Sequence, residues 1–372
     1  MGRKAAYKFF CYLAIALTLL LSMFTILANI VEFFPPNRFF FINLLAFGLP
    51  ILLSFTIISF IYWSIFKWKI AIIPFIAILC SLPFINRIYQ FRSEKSIITN
   101  STNNELVTIA TYNMYGTHFD KEKMASIATY FAKLDTDIIC LEEFSPPKSK
   151  NDSISLQTFF SQWPYYLAET KPGLLPICIF SKYPITNPHK INFLSRKNNF
   201  LYCDLLLPQT SIRLFVTHLQ TTSINRDKAT IKKAMDPSST SHKLDKGQIL
   251  NNAIVHFNQN AIHRQEQVDS LYTLINQSKT NKQPVIVCGD FNAIASQYAY
   301  KKIISTGLQD GFVQCGSKLA STYRYFRQLI RIDYILYSDD FHATAYQIFD
   351  WEMSDHKAVV MQFKQPNKTK LQ

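Results

Sequence analysis

Three long apolar runs fill the first quarter of the chain: Tyr7 to Val31, Phe39 to Phe66 and Ile70 to Ile85. The first two exceed the roughly 20 residues that cross a bilayer as a helix. The third reaches that length only when Ile88 to Phe91 is counted past Asn86 and Arg87. Pro35-Pro36-Asn37-Arg38 separates the first run from the second, and Lys67-Trp68-Lys69 the second from the third. Tyr62, Trp63 and Trp68 lie at that second break, and amphipathic rings favour a membrane interface. Three transmembrane helices within residues 1–91 are expected, with two spans and an interfacial third segment as the alternative. A secretory signal peptide over Gly2 to Asn29 competes, because Arg3, Lys4 and Lys8 precede the apolar core. Against it, the core is too long, no small-residue cleavage site stands out, and two more apolar runs follow.

Residues 92–105 are polar and rich in Ser, Thr and Asn, a linker composition. From Leu106 the pattern becomes short β-branched runs alternating with longer amphipathic ones, which predicts an α/β domain over residues 106–365 and a polar tail over 366–372. Val107 to Tyr112 reads as a strand ending at Asn113, and Asp137 to Leu141 as a buried strand running into Glu142-Glu143. Lys121 to Leu134 places Met124, Ile127, Ala128 and Phe131 at helical spacing. Helices are also expected over Gln157 to Trp163 and Arg264 to Ser278. Further strands are expected at 177–181, 201–207, 212–216, 285–288, 332–337 and 358–363.

The polar residues that stop these runs carry the chemistry. Val285 to Cys288 halts at Gly289, and Asp290 and Asn292 follow at alternate positions. Thr217-His218 ends another strand, Asp333 interrupts the start of a third, and Ser354-Asp355-His356 precedes a fourth. Each has an ordinary reading as a turn former, a cap or a structural histidine. Together, a sheet with converging strand ends would gather carboxylates for a hard divalent cation, imidazoles to handle protons, and amides to grip phosphate oxygens. Metal-assisted phosphoester hydrolysis suits that set.

Composition refines the picture. The net charge is +14, and from Leu106 onward 30 Lys and Arg stand against 22 acidic residues. A polar, basic stretch from Thr221 to Ile262 shows no strong periodicity; it is a solvated loop or surface helix, or a flap for an anionic substrate or membrane surface. The seven cysteines are an odd number and mostly fall in apolar runs, which reads as buried thiols and not a disulfide framework. Basic residues near the span ends count Arg3, Lys4, Lys8, Lys67 and Lys69 against Arg38, Arg87, Arg92 and Lys95. With three spans, that bias leans to a multi-pass protein of a bacterial-type inner membrane with its C-terminal domain on the external, periplasmic side.

The ordered motifs Thr111-Tyr112-Asn113, Leu141-Glu142-Glu143, Thr217-His218-Leu219, Gly289-Asp290-Phe291-Asn292, Arg331-Ile332-Asp333-Tyr334 and Ser354-Asp355-His356 resemble those of the endonuclease/exonuclease/phosphatase superfamily. The resemblance covers Leu106 to Gln365 and implies a four-layer α/β/β/α sandwich of two packed mixed sheets flanked by helices. It implies Glu143 as the main Mg²⁺ ligand (Mn²⁺ being the alternative ion), with Asn113 and Asp355 near the metal or phosphate. Asp290 would orient or deprotonate the attacking water, and Asn292 would hold the phosphate. His356 would contact the phosphate while paired with Asp333, and His218 would stabilise the transition state or leaving group. Glu142 departs from the family's frequent Gln and is expected to add charge beside the metal without abolishing binding. The Thr221–Ile262 stretch is longer than expected, and no subfamily signature fixes the substrate.

The expected activity is therefore a membrane-anchored, metal-dependent phosphoesterase. Nucleic acid is the first substrate class, since phosphate backbones reward an excess of basic residues. A phospholipid or sphingomyelin-type head group is the alternative, because the bilayer raises its effective concentration. Phe193, Leu194, Phe200, Phe326 or Leu329 could then form an apolar rim. A non-catalytic binding module is the second alternative. No protein partner is inferable from the sequence.

Overall fold

The computed structural model describes residues 2–39, 41–97, 106–116, 119–169, 171, 173–193, 197–222, 246–325 and 328–365. It divides into two compact units. The first comprises residues 1–86, 223–265 and 295–301; the second comprises 87–222, 266–294 and 302–372.

The first unit is built on α1 (Arg3–Ile30), α2 (Ile42–Phe66), α3 (Trp68–Cys80) and part of α4 (Leu82–Ile88). Among the described residues, only α1, with the 3₁₀ turn Val31–Phe33 that extends it, and α2 are each long and apolar enough to cross a membrane. The sequence expectation of three spans needs α3 and α4 to act as one, and they are bent by 53° at their junction. Ser81 and Pro83 stand at that break, and proline cannot continue the hydrogen-bond ladder from the preceding turn. Polar side-chain pairs add to the apolar packing between these helices. Thr25 and Thr56 share a buried hydroxyl hydrogen bond of 2.8 Å between α1 and α2. Trp63 Nε1 donates to Thr18 Oγ1 at 2.8 Å, and Asn29 Nδ2 donates to Ser81 Oγ at 2.8 Å. Residues 295–301 join this unit: Ser296 Oγ donates to the Ala46 carbonyl at 2.8 Å and Gln297 Nε2 to Asn43 Oδ1 at 2.7 Å.

In the second unit the strands are, in chain order, β1 (Tyr89–Gln90), β2 (Leu106–Asn113), β3 (Ile138–Glu142), β4 (Tyr165–Glu169) and β5 (Ile177–Ser181). There follow β6 (Ile185–Asn192), β7 (Asn199–Leu206), β8 (Ser211–His218), β9 (Val285–Asp290) and β10 (Gln309–Asp310). The last are β11 (Lys318–Leu319), β12 (Asp333–Tyr337), β13 (His342–Phe349) and β14 (Ala358–Lys364). Two six-stranded mixed sheets form, ordered β13-β14-β2-β3-β5-β4 and β10-β12-β9-β8-β7-β6, and β1 pairs only with β11.

Alternation along each central strand explains the layers, because successive side chains face opposite sides. Ile109, Cys140, Val359 and Met361 join Leu214, Val216, Ile286, Cys288 and Ile335 in one buried cluster between the sheets. The intervening Ala110, Ile139, Leu141 and Val360 turn outward onto Met124, Ile127 and Phe131 of α5 (Lys121–Lys133) and Leu156 of α6 (Lys150–Phe159). Asp120 and Ser149 cap these two helices by accepting from the backbone N–H groups of Lys123 and Asp152. The second sheet is tied to α7 (Lys246–Thr280): Gln267 accepts from Gln220 N at 2.7 Å and donates to the Asn198 carbonyl at 3.1 Å.

Several boundaries differ from the sequence expectation. The helix expected over Gln157 to Trp163 runs instead over Lys150–Phe159, because its Ser149 cap lies further upstream than its sparse apolar positions suggest. The helix expected from Arg264 begins at Lys246, so residues 246–262 of the basic stretch are helical. Its buried positions there, Ile249, Phe257 and Ala261, are too widely spaced to register as a period. The rest of that stretch, residues 223–245, lies outside the described residues. β4, β6 and β13 went unpredicted; β6 is an edge strand, largely exposed and containing Pro188, so it lacks the apolar alternation of a core strand. The five cysteines of the second unit, Cys140, Cys178, Cys203, Cys288 and Cys315, are free and buried.

Candidate active site

Strand register brings the polar strand ends together. In the second sheet β8 and β9 are parallel, with His218 paired to Asp290, while antiparallel β12 starts with Asp333 opposite Asp290. In the first sheet β2 and β3 are parallel, with Asn113 opposite Glu142, and antiparallel β14 begins just after Asp355-His356. Each sheet thus delivers two strand ends and one strand start to the same edge. Gly289 permits the close approach of β8 and β9. Its φ is +124°, and a Cβ there would lie 2.0 Å from the Thr217 carbonyl oxygen. Glu143 (φ 50°) and Asn292 (φ 48°) also hold left-handed backbone, as strained positions at functional sites often do.

Asp290 is the hub. Its carboxylate accepts from Asn113 Nδ2 at 3.0 Å, from Asn292 Nδ2 at 3.0 Å and from Asn292 N at 2.7 Å. His218 Nε2 and His356 Nε2 stand 3.7 and 3.8 Å from its Oδ2. His356 Nδ1 lies 3.0 Å from both oxygens of Asp333, an ion pair that joins the two sheets. Glu143 Oε1 is 3.4 Å from both Asn113 Nδ2 and His218 Nε2. Next to Asp355, the Ser354 hydroxyl donates to the Asn113 carbonyl at 2.7 Å and fixes this turn against the end of β2. All eight residues singled out from the sequence meet here.

Burial and charge set their protonation. Burial pushes the Asp290 carboxyl up, against the pull of His356, to about 6. Burial works against the charged form of His356, but Asp333 and Asp290 outweigh it and raise it to about 10, so this imidazole is a cation at neutral pH. Burial lowers His218, which stays neutral. Glu143 and Asp355 are both raised by burial, and the charge of Glu143 adds to the effect on Asp355.

Two half-buried carboxylates whose ionisation burial disfavours match what a hard divalent cation neutralises. Asn113 offers its Oδ1 less readily, since that oxygen already accepts from Tyr115 N at 3.0 Å. Asp290, Asp333 and His356 also have ligand-type atoms within 4.8 Å of one another. A cation among those three would have to break the Asp333–His356 pair, so Glu143 and Asp355 are the better fit.

Four further roles were not readable from the sequence, two of them at residues inside the motifs quoted above, Thr111 and Ser354. Lys123 on α5 donates to the Met114 carbonyl at 2.5 Å and feels the charges of Asp355 and Glu143. The Tyr323 ring lies 4.9 Å from that of His356. Ser354 acts as described above, and Thr111 Oγ1 donates to Glu142 Oε1 at 2.7 Å. Nothing in the local pattern gives these roles; only the folded neighbours do. Of the rim residues, Phe200 is wholly buried core, Leu329 is exposed, and Leu194 and Phe326 lie outside the described residues.

Glu142 corrects an expectation. Its side chain is fully buried, and burial, against the Thr111 hydrogen bond, holds its carboxyl well above the ordinary range, which disfavours the added negative charge. A neutral carboxylic acid has nearly the shape of the Gln expected at this position. The unfolded chain ionises Glu142 more readily than the folded one, so this residue's contribution costs stability as pH rises above the ordinary carboxyl value. Glu142→Gln is therefore expected to keep turnover within about threefold and to be the more stable form at pH 8. Melting temperatures of both proteins at pH 5 and pH 8 check this; a tenfold loss of turnover would show that the acid itself is needed.

Buried carboxylates, a paired cationic histidine and a neutral one, gathered at the shared edge of two packed mixed sheets, define a hydrolase acting on phosphoester bonds. The chain belongs to the endonuclease/exonuclease/phosphatase family, whose model matches residues 110–356. Residues 8–88 match a second model, a domain of unknown function (DUF8431). No curated protein sequence matches the chain. Among solved structures it is similar to a humanized D. rerio TDP2 carrying 14 mutations, at 15% identity and a TM-score of 0.50, covering 70% of this chain and 100% of that one. It is also similar to the human Nocturnin catalytic domain with bound sulfate (19% identity, TM-score 0.49, 71% and 95% coverage). A Beutenbergia cavernae endonuclease/exonuclease/phosphatase is a third (15%, 0.47, 70% and 72%). The first of these likenesses supports the shared fold.

Proposed function

We propose that this protein is a membrane-anchored, Mg²⁺-dependent phosphodiesterase, with nucleic acid as its first substrate class. In this reading residues 1–91 form the anchor, 92–105 the linker and 106–365 the catalytic region. The observation that carries it is Asp290 Oδ2 held by Asn113 and Asn292 between two histidines, one of them ion-paired to Asp333.

Glu143 and Asp355, with Asn113 beside them, would hold the divalent cation, which supplies Lewis-acid charge to phosphoryl oxygens when bound. Asp290, raised to about 6, accepts a proton from an attacking water near neutral pH, where a general base works best. Asn113 and Asn292 fix its orientation. Cationic His356 meets the phosphate oxygens, kept charged and aligned by Asp333. Neutral His218 sits where a hydrogen bond to the developing charge or leaving oxygen is available.

The nucleic-acid preference rests on the excess of eight basic over acidic residues from Leu106 onward. The lipid head-group alternative draws on the apolar helices and on exposed Tyr325 and Leu329 in the segment that also carries Tyr323. The test is plasmid nicking by the purified full chain in detergent. Mg²⁺-dependent nicking is expected, lost with a chelator, restored by Mg²⁺ or Mn²⁺, and absent in Asp290→Ala. A folded, Mg²⁺-binding protein that leaves plasmid intact but releases phospholipid head groups would replace the nuclease reading with the lipid one.

The side of the membrane depends on whether α3 and α4 cross as one bent span. Three spans place the catalytic region opposite the N-terminus, on the periplasmic side that the basic-residue bias favours; two spans return it to the N-terminal side.

A further inference from the structure

Resting on the membrane reading of α1 and α2, we infer that these two helices hold a single anionic phospholipid. A groove of about 740 Å³ opens between them, lined by Phe24 of α1, by Phe41 at the start of α2, and by Leu45, Gly48 and Leu52 along it, with Arg38 at one end. That volume lies within the roughly 300–1,000 Å³ of ligand clefts.

Three features specify the occupant. The first is depth. From Ile42 to Leu52 the groove follows eleven residues of helix, whose ten steps span about 15 Å at a rise of about 1.5 Å each. That is half of a hydrocarbon core about 30 Å thick, the reach of one lipid leaflet. The second is charge. Arg38 lies in the connection between two membrane helices, where such a residue meets the head-group layer. It is exposed, and among the described residues nothing pairs with its guanidinium. A phosphate satisfies that geometry and charge. The third is shape. Gly48 forms the floor, and a Cβ there would meet no protein atom within 4 Å, so the notch is open space that an acyl chain fills.

The test uses the full chain reconstituted in bilayers of phosphatidylglycerol and phosphatidylcholine, then released into mild detergent for native mass spectrometry. Wild type is expected to retain one phosphatidylglycerol. Gly48→Leu projects a side chain into the notch from a position where its Cβ meets no protein atom, and Arg38→Gln removes the cation; each should retain at least fivefold less. Leu45→Trp blocks the same groove if Gly48→Leu does not fold, judged by melting temperature. Neither residue belongs to the catalytic site, so turnover of a soluble phosphoester should not change. The inference is overturned if wild type retains no lipid, if phosphatidylcholine is retained equally, or if a folded variant retains as much as wild type. Alkaline carbonate extraction separates the underlying reading: a chain released by carbonate is not a membrane protein, whereas one that stays and carries no lipid sinks only the groove.

Discussion

Asp290→Asn is expected to lower kcat by about 10³-fold or more, the scale of losing a general base together with the hydrogen-bond pattern around it. The change keeps the volume and removes one charge. The buried carboxylate accepts from two asparagines and faces two imidazoles, so its loss breaks the orientation of all four partners at once. Folding should survive, because burial already disfavours the charge and the isosteric amide still fills the space. Initial rates on a soluble phosphodiester, read beside the melting temperature, check this. A folded variant that turns over within threefold of wild type would remove Asp290 from the chemistry.

The largest stability effect is expected at Arg331, inside the same motif as Asp333 yet turned into the core. Its guanidinium has no exposed area and forks onto Asp310, Nη1 to Oδ1 at 2.9 Å and Nη2 to Oδ2 at 2.5 Å. The Phe312 and Tyr334 rings cover its faces at 4.9 and 4.4 Å. Arg331→Met leaves Asp310 buried without its counter-charge, which costs about 3–5 kcal/mol. For a domain of this size the melting temperature should fall by roughly 8–15 °C. Pairing it with Asp310→Leu removes the orphaned charge, and the double variant should recover most of the loss. Thermal melts of the three proteins decide the point; a double variant as unstable as Arg331→Met would mean that packing of the guanidinium on the two rings, and not charge pairing, dominates.

The site was legible in the sequence to the extent that chemistry interrupts a binary pattern. Val285 to Cys288 and Asp137 to Leu141 are apolar because both faces of a central strand are covered, and the first polar residues after them have to serve the sheet edge. Asp290, Asn292 and Glu143 were visible for that reason, as were Asn113 and His218. The two long apolar helices, α1 and α2, were legible because each carries an unbroken apolar run of the length that crossing a bilayer would require. What depended on pairing across the chain was not visible. Glu142 reads as a second charge until its full burial, which outweighs the Thr111 hydrogen bond, disfavours its ionised form. Lys123 and Tyr323 belong to none of the motifs, and only the fold sets them beside the strand ends. Arg331 reads as part of a catalytic motif until its fork onto Asp310 shows a structural role.

Local burial and run length made the central strands, the two long apolar helices and the polar side chains that end those strands readable from the chain alone. The tertiary structure decided which strand ends share an edge, which carboxyls keep a proton, and where α3 and α4 bend. Those outcomes depend on register between strands far apart in the chain and on the desolvation each group meets only once its neighbours have closed around it.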